Sequence, residues 1–416
     1  MSTEILIEPG SRFQCVPDCG FCCGFWDISI DKQRKDALLR KDWVQEMARA
    51  LEARKHQPLF KIIGQDEIIQ RQNGTCSFIN ERKLCSIHAV EGYDAKPLGC
   101  QQYPYIYYQT PRGLEVLLDH SCPEVIQNLG DPVTIEEVER RLPREYVLTI
   151  APAFPLDSKT SLDWQGYAEM EDSFLKVLGF DLSYEEKILC LDQIVKDLSL
   201  RLSGRTTSKG EAVKEALTSI QAGELEKILS KIKAPSPNHS KRELYLAILI
   251  QCVEASYARR INEKRVSSGN MVMNILKQWK SIGEKSFEVF KFRVNYRKMK
   301  DVGFYAQLET FRKVVDRYLR YLVRTLVSTG RMPISKRLAI IATNFSLVKW
   351  FSRAYAASNG RAQVTPEDVV FAIKVVEKFM SNRLFNELAL QKDFIANVIN
   401  FLFESPTLPS TMLSEP

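Results

Sequence analysis

Long apolar runs are missing from this chain. None approaches the roughly 20 residues that a membrane-spanning helix needs. The nearest, LYLAILIQCV from Leu244 to Val253, is short and follows a charged segment. The opening MSTEILIEPG has no basic stretch followed by an apolar one, so no secretory signal is expected there. No Gly-x-Gly-x-x-Gly turn occurs, which excludes the conventional Rossmann-type nucleotide site. Internal repeats and low-complexity tracts are absent. Cysteine is rare beyond residue 123: only Cys190 and Cys252 occur, each in an apolar helical context that reads as buried core. The expectation is a cytoplasmic protein with no membrane partner.

The composition that remains is globular. Of 416 residues, 45% are hydrophobic and 26% charged, which allows a real core and two or three domains. Net charge is +7 but uneven, with 20 Lys and Arg against 6 Asp and Glu between Arg259 and Arg337, so the rest is net acidic. Such a block suits an anionic partner: nucleic acid, a membrane surface or an acidic protein. Aromatics interleave it, among them Trp279, Phe287, Phe292, Tyr296 and Tyr318. At helical spacing they read first as core, with the cations on the solvated face. Base stacking is the alternative.

Eight cysteines precede residue 123: Cys15, Cys19, Cys22, Cys23, Cys76, Cys85, Cys100 and Cys122. The first four lie within nine residues, CVPDCGFCC, and two are adjacent. In a reducing compartment such a cluster points to metal binding or catalysis rather than to disulfides. Thiolates are soft ligands for Zn²⁺ and iron–sulfur clusters. Gly20 and Gly24 allow the tight backbone such a loop needs, and His88, three residues after Cys85, is a further candidate ligand. Zinc knots usually use pairs of C-x2-C and closed four-ligand sites. Here a quartet is followed by single cysteines, and adjacent Cys22 and Cys23 do not readily share one tetrahedral ion. Spacing alone leaves zinc and iron–sulfur open. Cys15, Cys19 and Cys22 also spell C-x3-C-x2-C, the signature of radical S-adenosylmethionine enzymes. A full radical-enzyme barrel is not expected, because the sequence beyond Cys23 turns helical instead of alternating strand and helix. Cluster-bound S-adenosylmethionine stays open.

The pattern predicts a mainly α protein: a small, irregular α+β cysteine-rich domain over 1–130, then a helical domain over 131–416. One helix is expected over about Asp31–Leu59, ending before Pro58. The stretch NGTCSFINERKLCSIH, with a turn signal at Asn73-Gly74, reads as two short strands or extended loops. YIYYQTPRGLEVLLD reads as a hairpin turning at Pro111-Arg112-Gly113. Helix starts are expected at VTIEEVERRL, at SYEEKILCLDQIVKDLSLRL and at Thr365-Pro366-Glu367-Asp368. Apolar residues at 304, 308, 311, 315, 318, 322 and 326 mark one face of a long helix. Ser203–Glu211 and Ala234–Lys241 read as loops, and the tail SPTLPSTMLSEP as frayed.

The cysteine segments resemble the cysteine-cluster proteins described as zinc- or iron-chelating. The resemblance is carried by C-x3-C-x2-CC, Cys76-Ser77-Phe78, Cys85-Ser86-Ile87-His88 and Pro97-Leu98-Gly99-Cys100-Gln101-Gln102-Tyr103-Pro104. His120-Ser121-Cys122-Pro123 is similar to the Ser-Cys-Pro of flagellin lysine-N-methylase-like members. The likeness covers about residues 13–125. It implies a bound metal centre. For the methylase branch it implies an iron–sulfur cluster, S-adenosylmethionine and a protein substrate methylated on lysine. Two usual arginines of the family are Lys96 and Gln101 here. Asp94, Tyr93, Tyr103 and Tyr105 flank Cys100 and read first as packing and turn residues, with proton handling as the alternative. A non-enzymatic chelator with a structural metal site is the rival class.

Overall fold

The structure is a computed structural model. It describes residues 4–15, 19–24, 28–55, 57–63, 66–72, 74–142, 147–202, 210–221, 239–262, 268–287, 290–328, 332–380, 402–403, 405 and 407–413. The chain divides into two units: Met1–Leu148 with Arg260–Glu263, and Thr149–Arg259 with Lys264–Pro416. The chain is mainly α, with a few small sheets, as the sequence predicts.

In the first unit, β1 (Ile5–Ile7) is followed by a single helical turn at Cys22–Gly24. The expected long helix is two helices, α1 (Lys32–Leu39) and α2 (Asp42–Lys55). Asp31 caps α1 by accepting from Arg34 N at 2.9 Å. The break is stabilised by Gln45, whose side-chain amide donates to the terminal carbonyl of Leu39 at 3.0 Å. Then come the hairpin β2 (Phe60–Ile63) and β3 (Asp66–Ile69), and the minimal pair β4 (Arg71–Gln72) and β5 (Thr75–Cys76). Gly74 sits in the β4–β5 turn at φ +80°; Asn73 lies outside the described residues.

Beyond Cys76 the expected strands reduce to one bridge, Ile79 to Cys85. Two short helices take over, α3 (Ser86–Glu91) and α4 (Leu98–Gln102). The polar–apolar alternation there came from a turn, not a strand: the Asn80 side chain accepts from Arg82 N and Leu84 N at 3.0 and 2.9 Å.

The hairpin is β6 (Tyr105–Thr110) and β7 (Gly113–Leu118), with Thr110 opposite Gly113 around Pro111-Arg112, as expected. β1 adds to β7 in parallel, Ile5 opposite Leu114, so the main sheet runs β1-β7-β6 and ends at β8 (Val147–Thr149). A Cβ at Gly113 would lie 2.3 Å from the Glu4 carbonyl, so this close approach requires glycine. Between β7 and β8 lie α5 (Pro123–Gln127) and α6 (Ile135–Arg141), the latter capped by Thr134.

The second unit is helical, with small pairs β9 (Phe154–Pro155) and β10 (Ser161–Leu162) and, later, β11 (Glu284–Phe287) and β12 (Phe292–Asn295). Its helices are α7 (Trp164–Leu178), α8 (Tyr184–Arg201), α9 (Gly210–Gln221), α10 (His239–Asn262), α11 (Ser268–Trp279), α12 (Tyr296–Lys300), α13 (Leu308–Arg324), α14 (Ile334–Ser358), α15 (Pro366–Met380) and α16 (Leu408–Leu413). Buried α14 is central and packs on α15, α8, α16 and β12. Ser183 and Glu186 form the reciprocal cap of α8. The predicted α13 face is buried at Phe311, Val315, Tyr318 and Leu322. Each such side chain contributes about 1.5–3 kcal/mol by leaving water. The helix begins at Leu308, because Tyr305–Gln307 forms a tighter 3₁₀ turn before it.

The tail is not frayed through Leu413. Leu408, Met412 and Leu413 are buried on α16, and the Met412 carbonyl accepts from Ser346 Oγ at 2.9 Å and Arg242 Nε at 3.1 Å. Most of Ser203–Glu211 and Ala234–Lys241 lies outside the described residues. The run Leu244–Val253 is interior to α10, and among the described residues no helix is long and apolar enough to cross a membrane.

Candidate metal centre

Four segments of the first unit bring cysteines together. The first is held by a strap: Phe13 N donates to Asp131 O and Val133 N to Ser11 O, each at 3.0 Å. Asn128, in the left-handed region at φ +57°, ties both sides of this strap by bonding Arg12 N and the Gly10 carbonyl. Cys15 leaves the strap exposed to solvent. Cys22 and Cys23 then lie on the single turn closed by Cys23 N to Gly20 O at 3.2 Å, and that turn packs on β5.

Cys76 ends β5 and is buried, Cys85 caps α3, and Cys100 lies within α4. Cys76 packs in one apolar cluster with Phe78, Ile87 and Leu59, and Cys23, Cys85 and Cys100 pack against it. Cys22 interacts electrostatically with Cys15, Cys23, Cys76 and Cys100, and Cys85 with Cys76 and Cys100. The structure therefore gathers five of the eight: Cys22, Cys23, Cys76, Cys85 and Cys100. The other three adjoin. Cys15 neighbours Cys22 and Cys19, while Cys122 neighbours Cys19 and belongs to a different apolar cluster, with Phe13 and Tyr105. Cys190 and Cys252 are buried in the helical unit, as expected.

Electrostatics make this an uncomfortable place for free thiolates. Burial pushes Cys76 up to about 12, raises Cys100, and pushes Cys122 up to about 12. Cys22 and Cys23 share a hydrogen bond, which lowers Cys22 and raises Cys23. The offsetting cation is Lys96, which acts on Cys15, Cys22 and Cys100. Spacing did not single out Lys96 as part of the centre, nor Arg141, which reaches Cys15 from α6. Gln101 is a fastener: its side-chain amide donates to the carbonyls of Asp94 at 2.9 Å and Lys96 at 2.7 Å.

The flanking residues behave mainly as packing. His88 stacks edge-on to Tyr93 at 5.9 Å, and its pKa is lowered by burial, Lys96 and Arg141. Tyr93 donates to the Gln101 carbonyl, Tyr103 pairs with Ser121 Oγ at 3.3 Å, Tyr105 is buried against Phe13, and Asp94 is exposed. Gly20, at φ +53°, is required by the loop; Gly24 has no atom within 4 Å of a built Cβ.

Among the described residues, no group of three or more Cys, His, Asp or Glu side chains is already arranged to hold a metal ion. The thiols are gathered without a finished coordination geometry. Their donor chemistry fits a soft metal, because a cation that displaces the thiol protons offsets the repulsion among the buried thiolates it leaves.

Residues 14–123 match the CxxCxxCC family, described as "Putative zinc- or iron-chelating domain". Metal binding is the role this match supports for the cysteine domain. Two curated relatives are named lysine-N-methylase. The chain is 26% identical to that of Salmonella typhimurium over 179 residues, 38% of this chain and 41% of that protein. It is 26% identical to that of Salmonella choleraesuis over 154 residues, 33% of this chain and 34% of that protein. The match thus spans about two fifths or less of these relatives' length. No solved structure matches the chain.

Proposed function

We propose that the chelating domain holds an iron–sulfur cluster and that the chain is an S-adenosylmethionine-dependent protein-lysine N-methylase. The observation that carries the metal part is the gathering of five thiols from four segments of sequence around Cys22. A closed structural zinc site uses four ligands; five thiols are gathered here, with three more adjoining. Cys22, Cys76 and Cys100 would hold the cluster, leaving one iron without a protein ligand. When bound, such a cluster supplies an iron position at which S-adenosylmethionine can be chelated. The chain's own residues exclude water through the Phe78 and Ile87 cluster and set a cation, Lys96, against the thiolates. The methylase part rests on the named relatives; with no Rossmann turn in the sequence, we take the cysteine centre as the cofactor site.

The exposed cations Lys277, Lys280, Lys291, Arg297 and Lys298 suit an acidic protein partner. Base stacking is a poorer fit, because Phe287, Phe292, Tyr296 and Tyr318 are buried.

Oxygen-free purification followed by iron, sulfide and zinc analysis tests the metal part. Iron with matching acid-labile sulfide is expected. Stoichiometric zinc without iron removes the cluster and leaves a structural chelator. Incubation with methyl-labelled S-adenosylmethionine and lysine-bearing protein tests the second part; label on lysine is expected, and no transfer by the iron-loaded protein refutes it.

A further inference from the structure

At the exposed edge of the thiol centre two cations meet on one ring. Lys96 Nζ lies 5.2 Å from the Tyr93 ring centroid, and the Arg141 guanidinium lies 5.5 Å from the same centroid. The arrangement is built. Lys96 N donates to Tyr93 O at 3.1 Å, Gln101 fastens the carbonyls of Asp94 and Lys96, and Tyr93 donates back to Gln101. Arg141 is braced from α6 against Phe13 at 5.9 Å and Tyr105 at 5.4 Å.

The positive charge there is under-matched. Among the described residues Lys96 has no carboxylate partner. Arg141 has Glu137, at 3.0 Å from Nη2, while its Nε is buried without a hydrogen-bond partner. Two like charges are thus held beside one ring with a buried donor unused, which favours an anion between them. An ammonium beside a planar guanidinium suits a carboxylate. The charge of Lys96 acts on Cys15, Cys22 and Cys100, and that of Arg141 on Cys15, so an anion held here would lie within electrostatic reach of the thiols.

We propose that Lys96, Arg141 and the Tyr93 ring form a carboxylate-binding subsite at the rim of the thiol centre, and that it takes the α-carboxylate of S-adenosylmethionine. The proposal rests on the reading of S-adenosylmethionine as the cofactor.

The test is calorimetric titration of the metal-loaded full chain, without oxygen, with S-adenosylmethionine and with its decarboxylated analogue. The wild type should bind the analogue about 10- to 100-fold more weakly, the loss of a charge-assisted hydrogen bond. In Lys96→Met, with metal content unchanged, the gap between the two ligands should narrow; Lys96→Arg should restore it. An equal penalty in wild type and Lys96→Met overturns the subsite while leaving the cofactor reading intact, because the carboxylate is then held elsewhere. No binding of S-adenosylmethionine to the metal-loaded wild type overturns both. Should Lys96→Met lose its metal, Arg141→Lys, which keeps the charge but not the fork, carries the same comparison.

Discussion

Gly20→Ala should loosen the cysteine domain, and Gly24→Ala, four residues away, should not. Gly20 lies between Cys19 and Cys22 at φ +53°. A Cβ there would meet Ile79 Cδ1 at 2.6 Å, Lys83 Cβ at 3.0 Å and the Lys83 carbonyl at 3.1 Å. Those residues form the turn between Cys76 and Cys85, so Gly20 is where two cysteine segments touch. The Ile79 methyl is the end of a side chain and can swing aside. The Lys83 backbone cannot, being held in the turn that Asn80 closes. The left-handed conformation costs an alanine about 1–2 kcal/mol, and residual overpacking at the Lys83 backbone adds about 1 kcal/mol, the low end for such insertions. The sum, about 2–3 kcal/mol, corresponds to a shift of roughly 30- to 150-fold in an equilibrium constant. Competition with a chelator, titrated against metal-loaded wild type and both variants, reads this directly. Gly24→Ala should match wild type within a few tenths of a kcal/mol, since it meets no atom within 4 Å and no left-handed backbone. Equal chelator resistance in the two variants would refute the reasoning.

The helical unit offers further tests by equilibrium unfolding. Lys349 on α14 and Glu185 on α8 form a pair whose side chains are 8% and 9% exposed. Lys349→Met should cost about 3–5 kcal/mol by leaving the buried Glu185 carboxylate with the neutral Tyr305 hydroxyl in place of its cation, and adding Glu185→Leu should recover most of it; no recovery would show that packing, not the unbalanced charge, sets the cost. Asp368 is fully buried, pairs with Arg361 and accepts from Thr365 N and Oγ1 at 2.9 Å each. Asp368→Ala should cost about 2–4 kcal/mol, a cap plus a broken ion pair, and a loss below that of an ordinary surface substitution contradicts this. Burial raises the Asp192 carboxyl although Lys196 lies 2.6 Å away. A raised carboxyl adds stability that is present below its unfolded pKa, about 3.9, and is lost as pH rises through the folded value. Asp192→Asn should therefore stabilise at pH 7 relative to wild type and lose that advantage near pH 4; a pH-independent difference would remove burial as the cause.

Local chemistry made much of the fold readable. The Ser183–Glu186 cap, the Thr134 cap and the Pro111–Arg112 turn each act over a few residues, and each stands where the sequence puts it. Non-local pairing did not show. β1 joins β7 across more than a hundred residues, and nothing in ILI specifies Leu114 as the partner of Ile5. The short helices at Cys85 and Cys100 were hidden because five- and six-residue segments carry too little periodicity. The order of the tail is not legible in the sequence, because its apolar face, Leu408, Met412 and Leu413, gains a partner only once α14 supplies the surface that it covers.

For the site, residue type showed which thiols to consider, but not that Cys22 and Cys23 meet Cys76, Cys85 and Cys100 while Cys122 packs elsewhere. The cations were less legible still. Lys96 was visible only as a departure from the family pattern, and Arg141 reaches Cys15 from a helix more than a hundred residues later. The aromatics between Arg259 and Arg337 followed the plainer reading, since Phe287, Phe311 and Tyr318 are core.

The most direct test of the central claim is metal per chain in the full-length protein, purified without oxygen, for wild type, Cys100→Ser and Cys190→Ser. Both cysteines lie in helices, Cys100 half-buried and Cys190 buried. Only Cys100 adjoins Cys22, Cys76 and Cys85. The account predicts that Cys100→Ser loses the bound metal and that Cys190→Ser keeps the wild-type content. Equal metal in all three proteins would contradict it.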